Sequence, residues 1–258
     1  MLKCRVIPIL TFNGLALVKT KKFAENPRMV GNAVQAARVF NFRNVDELVF
    51  LDIYASDQNR KINLQVVQLI INECFMPVAI GGGITSIDDI HNLLAIGADK
   101  VVIKNKLIED PEFVNKAANI FGNQCITLAI DAIKTSNGYK VYNRLGKNIP
   151  LVEFLEGISS LNFGEIILTS VEHDGMMDGF DIKLVRMVEK LVNVPIVVTG
   201  GAGNPSHFKE LFSKTNVEAV GAASIFYFTR YTPYDLKMAI SSVGKPVRII
   251  KGNFIPQN

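Results

Sequence analysis

The two halves of this 258-residue chain repeat each other. ELVFLD at 47–52 is matched by EIILTS at 165–170, an offset of 118, and Pro77 to Gly83 is matched by Pro195 to Gly201 at the same offset. GADKVVIKN at 97–105 falls on the segment ending VGAAS at 224, an offset of 119, and Cys4 to Thr11 falls on Gln124 to Asp131 at 120. Self-similarity of this kind constrains a fold more than any local propensity, because both copies must satisfy the same packing.

Each copy carries four strand-like runs: CRVIPIL, ELVFLD, PVAIGG and KVVIK, then CITLAID, EIILTS, PIVVTGG and EAVGAAS. Helix punctuation falls between them. Asp110-Pro111 opens a helix that Gly122 closes, Asn204-Pro205 opens another, and Thr232-Pro233 opens the last, closed by Gly244. Eight strands alternating with helices in two equal halves predict an α/β fold, a (β/α)8 barrel built from half-barrels of about 1–122 and 123–250 within one domain spanning 1–258. The rival, a doubly wound open sheet, needs a GxGxxG turn after its first strand, and none is present.

Composition narrows the class. With 48% hydrophobic and 20% charged residues the chain is ordinary globular material. A net charge of +4 spread over scattered Lys and Arg gives no basic patch for nucleic acid or an anionic membrane. Three cysteines, Cys4, Cys74 and Cys125, lack CxxC spacing and read as reduced core thiols. With no signal-peptide plan and no apolar run of membrane length, the expectation is a cytoplasmic protein. His91 and His173 are isolated, so neither a metal nor another cofactor is expected.

Alternate residues of a barrel strand face its interior. That parity selects Arg5, Ile7, Ile9 and Thr11; Glu47, Val49 and Leu51; Lys100, Val102 and Lys104; Thr127, Ala129 and Asp131; and Glu165, Ile167 and Thr169. Four of these ladders start with a charge, Arg5, Glu47, Lys100 and Glu165, and most end polar at the C-terminal mouth, where barrel active sites lie. The four charges read either as a salt-bridged plug or as a gate.

At the mouth, Gly81-Gly82-Gly83 and Gly200-Gly201-Ala202-Gly203 are related by the repeat and precede helix-opening segments, whose N–H groups favour an anion. With Lys104-Asn105, Asp174-Gly175 and Ala223-Ser224 they predict two phosphate cradles on opposite sides of the mouth. Asp131 is the mouth carboxylate with clear inward parity and is the candidate general acid or base. Asp52 and Asp174 flank it, either as helix caps or as site residues, and Lys19 is either a surface lysine or an anion clamp.

DELVFLDIYAS, GGGI, GADKVVI, AIDA, GEIILTS, the Asp174-Gly175 pair, TGGAG and AAS resemble, in order and spacing over about residues 4 to 250, the synthase (cyclase) subunit of imidazole glycerol phosphate synthase. The resemblance implies a barrel that receives ammonia from a glutaminase docked at its floor. The ammonia passes through the interior and is used at the mouth to cleave a bisphosphorylated ribonucleotide into imidazole glycerol phosphate and a carboxamide ribotide. It assigns Arg5, Glu47, Lys100 and Glu165 to the ammonia gate and Asp99 to the glutaminase interface. The candidate phosphate residues are Gly83, Lys104, Asn105, Asp174, Gly175, Gly201, Gly203, Ala223 and Ser224, and the candidate catalytic residues are Asp131, Lys19 and Thr11.

Departures from the family pattern lie at the mouth. The family works with aspartates at the ends of strands 1 and 5, but the first position here is Thr11, whose hydroxyl does not titrate near neutrality. Lys104 stands for an asparagine, Leu145 for a serine and Met176 for a threonine. This pattern resembles paralogues encoded with surface-polysaccharide genes, in which the barrel and its glutaminase feed ammonia to a downstream amidotransferase that makes an acetamidino sugar. The alternatives are an ordinary histidine-pathway cyclase and a non-catalytic scaffold that activates a glutaminase.

Overall fold

A computed structural model describes residues 2–24, 26–143 and 145–250. Eight parallel strands form its centre: β1 (Arg5–Phe12), β2 (Leu48–Asp52), β3 (Val78–Gly81), β4 (Lys100–Ile103), β5 (Ile126–Thr135), β6 (Glu165–Ser170), β7 (Ile196–Thr199) and β8 (Ala219–Ala222). Each pairs with the next, β8 pairs with β1, and β5 pairs with β6, so the sheet closes with no edge. The register runs Arg5 against Ala219 on one side of β1 and Thr11 against Leu51 on the other.

The predicted strands are all present. Short Val/Ile/Leu-rich runs buried on both faces suit a parallel sheet covered by helices. Those helices are α1 (Ala33–Phe42), α2 (Leu64–Ile71), α3 (Ile87–Ala95), α4 (Glu112–Phe121), α5 (Leu151–Ile158), α6 (Ile182–Val188), α7 (Pro205–Lys214) and α8 (Pro233–Ser241). The Asn-Pro and Thr-Pro signals act as read. Asn204 caps α7 by accepting from Ser206 N, and Thr232 forms a capping box with Asp235 at α8. Such caps are each worth about 0.5–2 kcal/mol.

Strand parity produces two cores. Val6, Leu10, Phe12, Phe50, Ile80 and Leu128 point outward into the layer shared with the helices. Ile7, Ile9, Val49, Ala79, Val102, Ile167, Val197 and Ala219 point inward and fill the lumen. The sequence reading omits two additions on the mouth side. Leu17–Lys19 folds back antiparallel on the end of β1 and pairs with Arg28–Gly31, and Gly138–Val141 folds back on β5. Both follow Asn-Gly pairs, Asn13-Gly14 and Asn137-Gly138, the standard short-range hairpin signal. Among the described residues no helix is long and apolar enough to cross a membrane.

Candidate active site at the barrel mouth

At the floor the four inward charges meet in a closed ring. Arg5 donates to Glu47 Oε2 at 2.7 Å and to Glu165 Oε1, while Lys100 Nζ donates to Glu47 Oε1 at 2.8 Å and to Glu165 Oε2 at 2.9 Å. Each carboxylate therefore meets both cations, which is the arrangement that makes buried charge tolerable. Asp99, on the exposed surface beside Lys100, accepts from Val78 N at 2.8 Å.

The other end opens into a cavity of about 210 Å³. Its walls descend from Lys104 and Gly201 to Ile9, Val102, Ala129 and Ile167, so it enters the lumen from the mouth. Of the residues expected there, Thr11, Lys19, Gly83, Lys104, Asn105, Asp131, Asp174, Gly175, Gly201, Ala223 and Ser224 all line it. Gly203 lies outside that lining, and its N–H is directed at His207 Nδ1, 3.2 Å away. Leu145 and Met176 are also outside the lining, and both are exposed.

The hairpin at Leu17–Lys19 explains Thr11. It turns Lys19 back over β1, where Nζ donates to Ile9 O at 3.0 Å and to Thr11 Oγ1 at 3.1 Å, and the Thr11 hydroxyl in turn donates to Val18 O. Lys19 also lies 5.4 Å from the centre of the Tyr227 ring. Burial lowers the Lys19 pKa to about 8, opposed by the attraction of Asp174. Desolvation raises Asp174 to about 6; Lys19 lowers it, while Asp131 adds to the rise. Two groups of opposite type are thus brought toward neutrality from both sides.

Asp131 is buried and ion-paired through Oδ2 with Lys104. The Lys104 ammonium lies 5.6 Å from the Phe23 ring and 5.8 Å from the Tyr142 ring, and those rings meet edge to face at 5.3 Å. The pairing, and both aromatic residues, were missed by the sequence reading. Tyr142 reaches this place because the Gly138–Val141 hairpin returns it to β5, where its N–H donates to Asp131 O at 2.7 Å. Asp52 is not a helix cap: its carboxylate is bound by Arg60 through both guanidinium Nη atoms, one contact at 2.8 Å.

The mouth glycines answer first to protein packing. A Cβ on Gly175 (φ +71°) would lie 2.1 Å from Thr20 O, and one on Gly201 (φ +103°) would lie 1.8 Å from Gly179 O. The loops after β1, β6 and β7 therefore press backbone against backbone, and Lys22 N donates to Asp174 O at 2.8 Å across the first of these contacts. Close approach is the reason for glycine, as expected, but at these two positions the approaching group is another loop.

The fold and the cavity define a (β/α)8-barrel protein with an ionic ring at its floor and its polar candidate site at the C-terminal mouth. Residues 5–232 match the family described as histidine biosynthesis protein. The chain is 41% identical over 252 residues to imidazole glycerol phosphate synthase subunit HisF of Dehalococcoides mccartyi, covering 96% of this chain and 99% of the relative. It is 40% identical over 253 residues to subunit HisF of Staphylococcus saprophyticus, covering 96% and 100%. The chain belongs to the histidine biosynthesis protein family and, within it, to the HisF subunits of imidazole glycerol phosphate synthase.

Proposed function

We propose that this chain is the ammonia-accepting barrel of a glutaminase-coupled enzyme, and that its mouth has moved away from making imidazole glycerol phosphate. The observation that carries this reading is the state of the two positions where the family uses aspartates. One is Thr11, a hydroxyl held between Lys19 and Val18 O; the other is Asp131, a counter-ion to Lys104. A pair of carboxylates can divide acid and base roles, whereas this pair offers one carboxylate already engaged.

The floor supports the other half of the proposal. Arg5, Glu47, Lys100 and Glu165 keep the four charges that the family resemblance assigns to ammonia entry, and a passage opens when one contact of the ring gives way. A glutaminase docks on this face, with Asp99 at the interface, and ammonia leaves the mouth for a downstream amidotransferase that converts an N-acetyl sugar to an acetamidino sugar. A phosphorylated group of the acceptor or of a retained small-molecule ligand sits between the cradles at Gly83, Asn105, Gly201 and Ser224, with Lys19 as its cationic partner.

A second reading, an ordinary histidine-pathway cyclase, is favoured by the 41% identity to HisF over nearly the whole chain. One experiment separates them. Purified protein given ammonium salt and the bisphosphorylated ribonucleotide should give little turnover, and the glutaminase subunit of an imidazole glycerol phosphate synthase should bind, with binding weakened by Asp99→Lys. Ready turnover establishes the histidine-pathway cyclase, and unchanged binding of the variant displaces the docking face.

A further inference from the structure

Lys19 is the exception among the lysines drawn into the fold. Lys237 is also buried and is ion-paired with Asp46 at 2.8 Å, and the partly buried Lys100 and Lys104 each hold carboxylates. Lys19 is 7% exposed and makes no ion pair among the described residues. Its Nζ donates two hydrogen bonds, to Ile9 O at 3.0 Å and to Thr11 Oγ1 at 3.1 Å. The Thr11 hydroxyl gives its own hydrogen to Val18 O, so it faces Lys19 as an acceptor. Two N–H donors are all that a neutral amine has, and its lone pair stays free. An ammonium would carry a third hydrogen with only the Tyr227 ring, centred 5.4 Å from Nζ, to receive it. Both Lys19 and Asp174 line the mouth cavity.

We propose that Lys19 is a nucleophile toward carbonyl compounds, and that the mouth holds a phosphorylated aldehyde or ketone as a Schiff base on its Nζ. This goes beyond the supply of ammonia and needs no glutaminase; its phosphate half rests on the cradles proposed above. Burial holds the Lys19 pKa at about 8, so about a tenth of the molecules carry the free amine at pH 7. Asp174, raised to about 6 by desolvation, is the acid. The charged groups facing this pair are Asp131, which adds to the rise of Asp174, and Lys104, which holds Asp131. The Nζ–C bond forms as the carbonyl oxygen takes the Asp174 proton, and the nitrogen returns a proton to the carboxylate. The C–O bond then breaks, the hydroxyl leaves with that proton as water, and an iminium remains beside an ionised Asp174. The mouth thus keeps the positive charge that a phosphate group needs. An aspartate at position 11 would hold Lys19 as an ammonium, whereas the threonine lets it lose its proton.

The test treats the whole chain with glyceraldehyde 3-phosphate and sodium cyanoborohydride, whose hydride adds to the imine carbon and leaves a secondary amine, and locates the adduct by peptide mass mapping. At pH 7 the wild type should carry it on Lys19, formed about 10-fold or more faster than on any exposed lysine, because far more of Lys19 is unprotonated. Its rate should be level between about pH 6 and 8 and fall on either side, where Lys19 gains its proton or Asp174 has lost its own. Asp174→Asn should slow the labelling without moving it, and Thr11→Asp should reduce it about 10-fold or more by restoring a counter-ion. Wild-type adducts confined to exposed lysines, or a Lys19 rate that climbs steadily with pH as theirs does, overturn the proposal whether or not a variant folds. Unphosphorylated glyceraldehyde reacting as fast at Lys19 overturns the phosphorylated class and leaves the nucleophile. A glutaminase that fails to bind the floor removes the ammonia reading and leaves the Lys19 result as it is.

Discussion

Two basic and two acidic side chains form a set at each end of the barrel, joined at the mouth by Asp52 and Asp57, and the two sets are arranged differently. At the floor Arg5, Lys100, Glu47 and Glu165 form a closed cycle in which every charge touches two of opposite sign. At the mouth Lys104 takes Asp131, while Lys19 donates to a carbonyl and a hydroxyl, and Asp174 acts on it only through the field. A closed ring of ion pairs at one end therefore contrasts with a single ion pair at the other, beside two charges, Lys19 and Asp174, that make no ion pair among the described residues. The mouth is where a ligand has most to contribute, since an anion beside Lys19 would supply the counter-charge that Thr11 does not.

The strongest way to break this contrast is to restore the missing carboxylate. Thr11→Asp, combined with Lys104→Asn to release Asp131, should raise ammonia-dependent cyclase turnover by about 10²-fold or more, the usual scale of acid or base assistance. No gain would mean that residues other than these two set the altered chemistry.

Next in size is the floor. Arg5→Ala leaves Glu47 and Glu165 with Lys100 alone, and removing one member of such a network typically costs about 3–5 kcal/mol. Urea denaturation should show a loss near the lower bound, because the Arg5 side chain is 25% exposed. A loss below about 1 kcal/mol, the range of a surface pair, would show that the ring is not a cooperative unit.

The smallest effect concerns the unsatisfied pair. Lys19 has a pKa of about 8 in the folded chain against an ordinary 10.5, so the unfolded chain holds more protons between those values and stability should rise with pH across them. Asp174 has a pKa of about 6 against 3.8, so the folded chain holds more protons there and stability should fall from pH 3.8 to 6. A trough between about pH 6 and 8 follows. Lys19→Met should remove the alkaline rise and stabilise the fold at pH 7 by on the order of 1 kcal/mol. Melting curves across pH that stay parallel for the two proteins would remove Lys19 from the contrast.

How far the sequence could be read differs between the same two regions. The floor is legible because strand alternation is local: Arg5, Glu47, Lys100 and Glu165 each begin an inward ladder, and closure of eight such ladders brings them together. Most of the residues expected at the mouth do line its cavity, since they follow strand ends. Lys104 was read there as a phosphate ligand, and in the structure it is paired with Asp131. The contact joins neighbouring inward ladders on the paired strands β4 and β5; what the strands do not specify is the pair of rings beside Lys104, Phe23 and Tyr142, which arrive from two different segments. The Asn-Gly pairs at 13–14 and 137–138 were available as signals, although they specify a turn and not what the turned strand will cover.

By itself, then, the sequence determined the eight barrel strands, the direction of each side chain along them, the twofold repeat and the charges that open the ladders at the floor, because these follow from periods of two residues and from spacing along the chain. Only the tertiary structure decided which charges touch, that Lys19 bends back onto Thr11, and that Gly175 and Gly201 yield to neighbouring loops. Those outcomes depend on distances between segments far apart in the chain, where loop closure and desolvation set the pairing and no local pattern can.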